Sequence, residues 1–207
     1  MVSTHSERYG PDYWAAFDTC VAPHLPASPV VIDLGCGPGL FLRDLTQRDP
    51  SAHLYGYDVT PAMIAYGQGL AWPGAVPTLA VHDVTAAPLP HAAGAVDLVS
   101  MTSVLHVLDE PLPVLAEIRR VLAPRGLFLL HDWTRQPFHS YLAWRRERLG
   151  ETGPEHLGRA FRLFPVHNKY TSEDWQWLLA EAGFAIRHQA ALRQSHQMFV
   201  ATAAAAR

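Results

Sequence analysis

Cysteine is nearly absent from this 207-residue chain: Cys20 and Cys36 are the only two, too few for a disulfide framework or a zinc cage. No cluster of His, Cys and Asp at ligand spacing points to a metal either. Long apolar runs are missing as well. No segment approaches the ~18 apolar residues that a membrane span needs, and Met1-Val2-Ser3-Thr4-His5-Ser6-Glu7 carries no basic and apolar leader pattern, so a cytoplasmic location is expected. Positive charge is not in excess. Lys and Arg number 16 against 19 Asp and Glu, a formal charge of −3, which gives no general attraction to nucleic acid or to an anionic membrane and argues against both as partners. Internal repeats are also lacking. With 49% apolar residues, the chain suits a single compact domain over 1–207 with a substantial core.

Glycine, by contrast, is concentrated where it has a consequence. The apolar run Val30-Val31-Ile32 leads into Asp33-Leu34-Gly35-Cys36-Gly37-Pro38-Gly39, which reads as a strand ending in a loop that lets a ligand touch main-chain groups. A dinucleotide fingerprint needs Gly-x-Gly-x-x-Gly. Here the third glycine comes one place early, with Leu40 in its stead, which disfavours a nicotinamide-dependent oxidoreductase. A phosphate-binding loop would need Gly-Lys-Ser/Thr, which does not follow.

Strand-length apolar runs alternate with helical patterns, the signature of an α/β fold around a mainly parallel, doubly wound sheet. Strands are expected over 30–34, 53–58, 77–82, 95–101 and 126–132, and helices over 40–47, 61–70 and 111–122. Thr60-Pro61 is a helix start signal. After Trp133 the alternation lapses into an irregular segment, 134–170. Thr171-Ser172-Glu173-Asp174 then resembles a capping box opening a last helix. Segments 184–191 and 194–202 follow, read as an antiparallel hairpin.

The pattern Asp33-x-Gly35-x-Gly37-x-Gly39 resembles the first motif of the class I S-adenosylmethionine-dependent methyltransferases, and further segments resemble later motifs of that family. The resemblance covers most of the chain and implies a Rossmann-like, seven-stranded sheet with a C-terminal antiparallel hairpin. It implies S-adenosylmethionine as cofactor and S-adenosylhomocysteine as product. Asp58, about twenty residues beyond the loop, stands where such sheets place an acceptor for ribose hydroxyls. His82-Asp83-Val84 is similar to the adenine-binding motif, with Asp83 as acceptor and Val84 supplying a main-chain N–H; Val59 and Met63 offer apolar contact to the ring. Ser100 and Thr102 are expected at the methionine end, with Asp33, Gly35, Cys36, Gly37 and Gly39 from the loop and Tyr13 from the N-terminal segment. Cys36 reads as a small loop residue, not a nucleophile. Leu122-Ala123-Pro124-Arg125-Gly126 resembles the family's turn before the fifth strand, with Arg125 where a glycine is usual.

Methyl transfer from a sulfonium asks mainly for positioning, with a base only where the acceptor must lose a proton. Asp132, at the end of the fifth strand, and His106 match residues found at such positions in small-molecule methyltransferases and are the catalytic candidates. His131 and Asp132, as neighbours on a strand, face opposite ways. Residues 1–25 are expected to form an N-terminal helix or lid, and 134–170 a substrate cap inserted within the domain. Acceptor contacts are sought in Tyr9, Trp14 and Trp133. The segment 134–170 holds seven of the sixteen basic residues, and Arg159 and Arg162, three apart, are candidates for binding an anionic acceptor. His139 and His167 are secondary base candidates. The expected function is methyl transfer to a small molecule, with oxygen ahead of nitrogen or carbon; the alternative is a protein of this fold that binds S-adenosylmethionine for a non-methylating or sensing role. The sequence leaves the acceptor, the oligomeric state and the pathway open.

Overall fold

The structure, a computed structural model, describes residues 5–193 and 195–204, with Ser6 and Glu7 described in backbone only. Two N-terminal helices, α1 (His5–Arg8) and α2 (Pro11–Cys20), precede an alternation of β1 (Val30–Leu34), α3 (Leu40–Arg48), β2 (His53–Asp58), α4 (Pro61–Gln68), β3 (Thr78–Val81), β4 (Val96–Thr102), α5 (Pro111–Val121) and β5 (Leu122–Trp133). Then come α6 (Phe138–Leu149), α7 (Pro154–His167), α8 (Ser172–Glu181), β6 (Phe184–Arg193) and β7 (His196–Ala203). The sheet runs in the order β3-β2-β1-β4-β5-β7-β6, with β1 to β5 parallel and β7 antiparallel to both of its neighbours. That is the expected seven-stranded α/β architecture. Two consequences position the site: the carboxyl ends of β1, β2, β4 and β5 share one edge, and β6, running parallel to β5, ends at that edge too.

Alternation along the central strands builds a core on each face of the sheet. On one side Phe128 and Leu130 of β5 pack with Leu115 and Ile118 of α5 and Trp175 and Leu179 of α8. On the other, Leu127 and Leu129 pack with Tyr13 and Phe17 of α2 and Phe41 and Leu45 of α3. The start of α8 is fixed by a reciprocal cap: Asp174 N donates to Thr171 Oγ1, and Thr171 N donates to the Asp174 carboxylate.

The segment 134–170 departs from its expected irregularity: α6 and α7 form a helical hairpin. Gly153-Pro154, Gly158 and Pro165 read as breakers, yet Pro154 stands at the first turn of α7, where a missing N–H costs nothing, and Pro165 falls in its last turn. Tertiary contact outweighs the local signals. Tyr141 and Ala160 are buried against Trp133, with Phe138 and Phe164 packed around them. Arg145 ties α6 to the loop that follows it, donating to both Glu151 carboxylate oxygens and, within α6, to the Tyr141 hydroxyl. β5 also begins earlier than expected, because Leu122 pairs with Val96 ahead of an irregularity in the ladder. Among the described residues no helix is long and apolar enough to cross a membrane.

Candidate active site

The glycine loop leaves β1 with Gly35, Gly37 and Gly39 at φ of +67°, +55° and +79°, a region that side-chain-bearing residues rarely adopt. It is tied to β2 by the N–H groups of Gly35 and Cys36, which donate to Tyr57 O at 2.8 and 3.1 Å. Gly37 N donates to Asp58 Oδ2 and Thr60 N to Asp58 Oδ1, each at 2.8 Å. A carboxylate accepts about four hydrogen bonds, so Asp58 keeps capacity for two hydroxyls. Beside it Val59 is 62% exposed, an apolar surface without cover, and Met63 is half-buried. Asp83 is exposed; its Oδ1 accepts from Thr85 N and Oγ1, which holds its pKa below the usual value. Asp58, Val59, Met63, Asp83 and Val84 thus follow one another along the ends of β2 and β3.

Asp33, at the end of β1, is buried and accepts a short hydrogen bond from Ser100 Oγ. Burial pushes its pKa up to about 7; the Ser100 bond opposes the shift and the charge of Asp58 adds to it. Ser100 therefore acts behind Asp33. Thr102 lines a small cavity of about 30 Å³ with Tyr9, Gly35 and Cys36. The Cys36 thiol is buried and its pKa raised by that burial, as befits a packing residue.

At the end of β5 three histidines, His106, His167 and His196, gather around Trp133. Asp132 is fully buried, and its Oδ1 lies 2.6 Å from His106 Nδ1 and accepts from Trp133 N, while Oδ2 accepts from His106 N. The sequence reading has Asp132 facing the pocket within reach of the acceptor; the structure instead buries its carboxylate against the His106 imidazole. His167 stacks on Trp133 at 4.1 Å between ring centroids, and its ring lies 5.6 Å from that of His106. His196 sits 4.2 Å from Trp133 on ring centroids, its Nε2 on Ser103 Oγ and its Nδ1 on Ser195 Oγ. Ser103 holds φ at +56°, strain stored where β4 turns toward the site. His131 faces the other way, 5.2 Å from the Tyr13 ring, and among the described residues neither of its nitrogens has a hydrogen-bond partner.

Burial, followed by the charges of Arg193 and Arg8, lowers the pKa of His131 to about 3; burial, with His106 next, lowers that of His167 to about 4. The ordinary value for both is 6.5. As pH falls below that value the unfolded chain takes up protons that the folded chain refuses. Stability is therefore complete above the unfolded value and drains away toward the folded ones, at roughly 1.4 kcal/mol per pH unit for a fully buried ring. Denaturant titrations should show this loss on going from neutral to mildly acid buffer, and His131→Leu should flatten it. An unchanged pH slope in that variant would show that His131 does not contribute.

Residues 32–130 match the family described as methyltransferase domain. A malonyl-[acyl-carrier protein] O-methyltransferase of Hahella chejuensis is 34% identical over 131 residues, 62% of this chain and 44% of that protein. A trans-aconitate 2-methyltransferase of Methylobacterium nodulans is 31% identical over 126 residues, 60% of this chain and 46% of that one. The chain thus spans less than half the length of these curated relatives. A solved S-adenosylmethionine-dependent methyltransferase from Aquifex aeolicus shares the fold, with a TM-score of 0.66 at 20% identity over 95% of this chain and 97% of that one. The chain thus carries a methyltransferase-domain match over 32–130 and has the fold of the S-adenosylmethionine-dependent methyltransferases. A further solved member, a trans-methyltransferase in complex with S-adenosylhomocysteine, covers 86% of this chain and 52% of its own, with a TM-score of 0.65 at 18% identity.

The shelf fits the methyltransferase cofactor on its own features. Asp58 has acceptor capacity for two ribose hydroxyls, uncovered Val59 offers a face to an adenine ring, and buried Asp33 would be held ionised by a cationic group. The last point is measurable. If the cofactor's ammonium is held near Asp33, binding must remove the Asp33 proton below about pH 7, so affinity for S-adenosylhomocysteine should fall with each pH unit below neutrality and binding there should release protons. Calorimetry in two buffers of different ionisation enthalpy checks this; affinity unchanged between pH 7.5 and roughly 5.5 would place the ammonium elsewhere.

Other expected contacts lie apart from these. Trp14 packs on Phe41 with ring planes 9° apart and carries the Arg48 guanidinium 4.1 Å over its ring, so it serves the core. Arg159 and Arg162 stand on the solvent side of α7, Arg159 with its guanidinium 3.9 Å from Glu151. His139 is exposed. Residues the sequence did not single out do meet at the site: Ser103 and His196 beside Trp133, and Arg8, Arg148 and Arg193 around a cavity of about 370 Å³ next to Tyr13. No local motif marks them, since β7, β6 and α6 bring them together only through the topology. Among the described residues no three His, Cys, Asp or Glu side chains are arranged to hold a metal ion.

Proposed function

We propose that the protein transfers a methyl group from S-adenosylmethionine to a hydroxyl oxygen of a small-molecule acceptor, with His106 as the base and Asp132 as the residue that orients it. The observation that carries this reading is the contact of 2.6 Å between His106 Nδ1 and Asp132 Oδ1, both groups buried. An ionised carboxylate only accepts, so Nδ1 holds the hydrogen and Nε2 presents its lone pair. Among the described residues Nε2 has no hydrogen-bond partner. Asp132 also accepts from the main-chain N–H of His106, which fixes the ring's direction as well as its tautomer.

When bound, S-adenosylmethionine supplies an activated methyl group on its sulfonium. Asp58, Val59, Met63, Asp83 and Val84 would hold its adenosine half, and Asp33, Gly35, Gly37 and Thr102 its methionine half. His106 Nε2 would take the hydroxyl proton and Asp132 would stabilise the imidazolium that results, while the methyl group exchanges its bond to sulfur for one to the acceptor oxygen and S-adenosylhomocysteine leaves with the sulfur electron pair. In this reading residues 1–25 act as a lid and 134–170 as the acceptor cap of a single domain, with Trp133 and Tyr9 at the boundary between cofactor and acceptor.

A second reading is favoured by the relatives: both are named for acceptors that carry carboxyl groups. A carboxylate is already ionised and needs no base. Incubation with S-adenosylmethionine and a panel of hydroxyl and carboxylate acceptors, followed by release of S-adenosylhomocysteine, separates the two. Turnover confined to hydroxyls and dependent on His106 supports the first; turnover on carboxylates that survives His106→Gln supports the second; no turnover leaves a binding or sensing role.

A further inference from the structure

The cavity of about 370 Å³ is walled by the junction of α1 and α2, by α6 and by the end of β6. It lies at the edge of the sheet that carries the carboxyl ends of the parallel strands, and Arg8 lines both it and the small cavity at Gly35 and Thr102. It therefore adjoins the cofactor loop. Its charges are sorted by depth. Asp12, Glu147 and Arg148 are exposed at the rim, whereas Arg8 and Arg193 are partly buried. Three of the five charged side chains that line it are arginines, and both acids are at the exposed rim, where water and salt screen them more than the partly buried Arg8 and Arg193. The histidines register that field: Arg193 and Arg8 both oppose protonation of His131 and of His196. Behind Tyr13, which lines the cavity, the His131 ring lies 5.2 Å away on ring centroids, and both of its nitrogens are buried without a hydrogen-bond partner among the described residues, an unusual cost in a folded protein that a bound polar group would relieve.

We propose that this cavity binds the carboxylate of the methyl acceptor, held by Arg8 and Arg193 within and by Arg148 at the rim, with the acceptor's apolar body against Trp144. Trp144 also lines the cavity and packs edge-on against Trp133, with ring centroids 5.7 Å apart; the Trp133 ring is 6.4 Å from that of His106. The aromatic pair thus leads from the arginines toward the base. The acceptor class that follows is a hydroxy-acid with an apolar spacer between its two polar ends. This assignment rests on the methyltransferase reading above, and it replaces Arg159 and Arg162 with a set that faces a cavity.

The test is calorimetry on the full chain first saturated with S-adenosylhomocysteine, so that failure of the cofactor reading is seen before any acceptor is added. The probes are 3-(4-hydroxyphenyl)propanoate, trans-aconitate and octanoate, each with its neutral amide. At least one carboxylate should bind, its amide should bind at least about tenfold more weakly, and Arg148→Gln and Arg193→Gln should each weaken the carboxylate about tenfold without affecting the amide. Arg148 is an exposed helix residue, so its replacement keeps the test valid if Arg193→Gln fails to fold. Equal binding of acid and amide, no binding of any carboxylate, or wild-type affinity in Arg148→Gln would each overturn the proposal, whatever the outcome for the cofactor.

Discussion

Replacing His106 by glutamine is expected to lower kcat by about 10²–10⁴-fold on a hydroxyl acceptor, the usual contribution of a positioned base. Affinity for S-adenosylhomocysteine should barely change, because the side-chain contacts of His106 run to Asp132, Trp133 and His167. Asp132→Asn keeps the shape and removes the charge that fixes the tautomer and stabilises the imidazolium, so it too should act on kcat. The two losses should not add, since each disables the same unit. Single-turnover rates of both variants and of the double variant check this; additive losses would mean that the two residues act separately.

Gly37→Val should have the largest effect on the cofactor. The loop holds residue 37 at φ +55°, a true outlier for a β-branched side chain. The variant loop would relax away, and binding would have to draw it back at a cost of roughly 1–3 kcal/mol, about 5- to 150-fold in affinity. The loss compounds because Gly37 N is one of the two donors that aim the Asp58 carboxylate. Calorimetry with S-adenosylhomocysteine on the folded variant measures it, and wild-type affinity would show that the loop does not meet the cofactor. Asp58→Ala belongs to the same test and should cost roughly 1–3 kcal/mol.

The features legible in the sequence are those set by local pattern. Val30–Leu34 followed by three glycines, Thr60-Pro61 before α4, and Thr171 with Asp174 at α8 each encode their element within a few residues. The hairpin of α6 and α7 was hidden because Gly158 and Pro165 argue against a helix, while its stability comes from partners far along the chain, Phe138 with Phe161 and Phe164 and Trp133 with Ala160. The residues proposed for the cofactor could be named in order because they follow consecutive strand ends. The acceptor side could not. Asp132 and His106 were both visible, but that the acid stands behind the imidazole is a matter of burial. His196, Arg148 and Arg193 come from elements with no motif, and only the hairpin of β6 and β7 and the placement of α6 bring them to the edge where β5 ends.

The most direct measurement is the pH dependence of the single-turnover methyl-transfer rate at saturating S-adenosylmethionine, on the hydroxyl acceptor identified by S-adenosylhomocysteine release, for wild type and His106→Gln. If His106 is the base, the wild-type rate climbs with pH along a one-proton acid limb, and the variant is slower and lacks that limb. Superimposable profiles would contradict the account and leave methyl transfer to positioning alone.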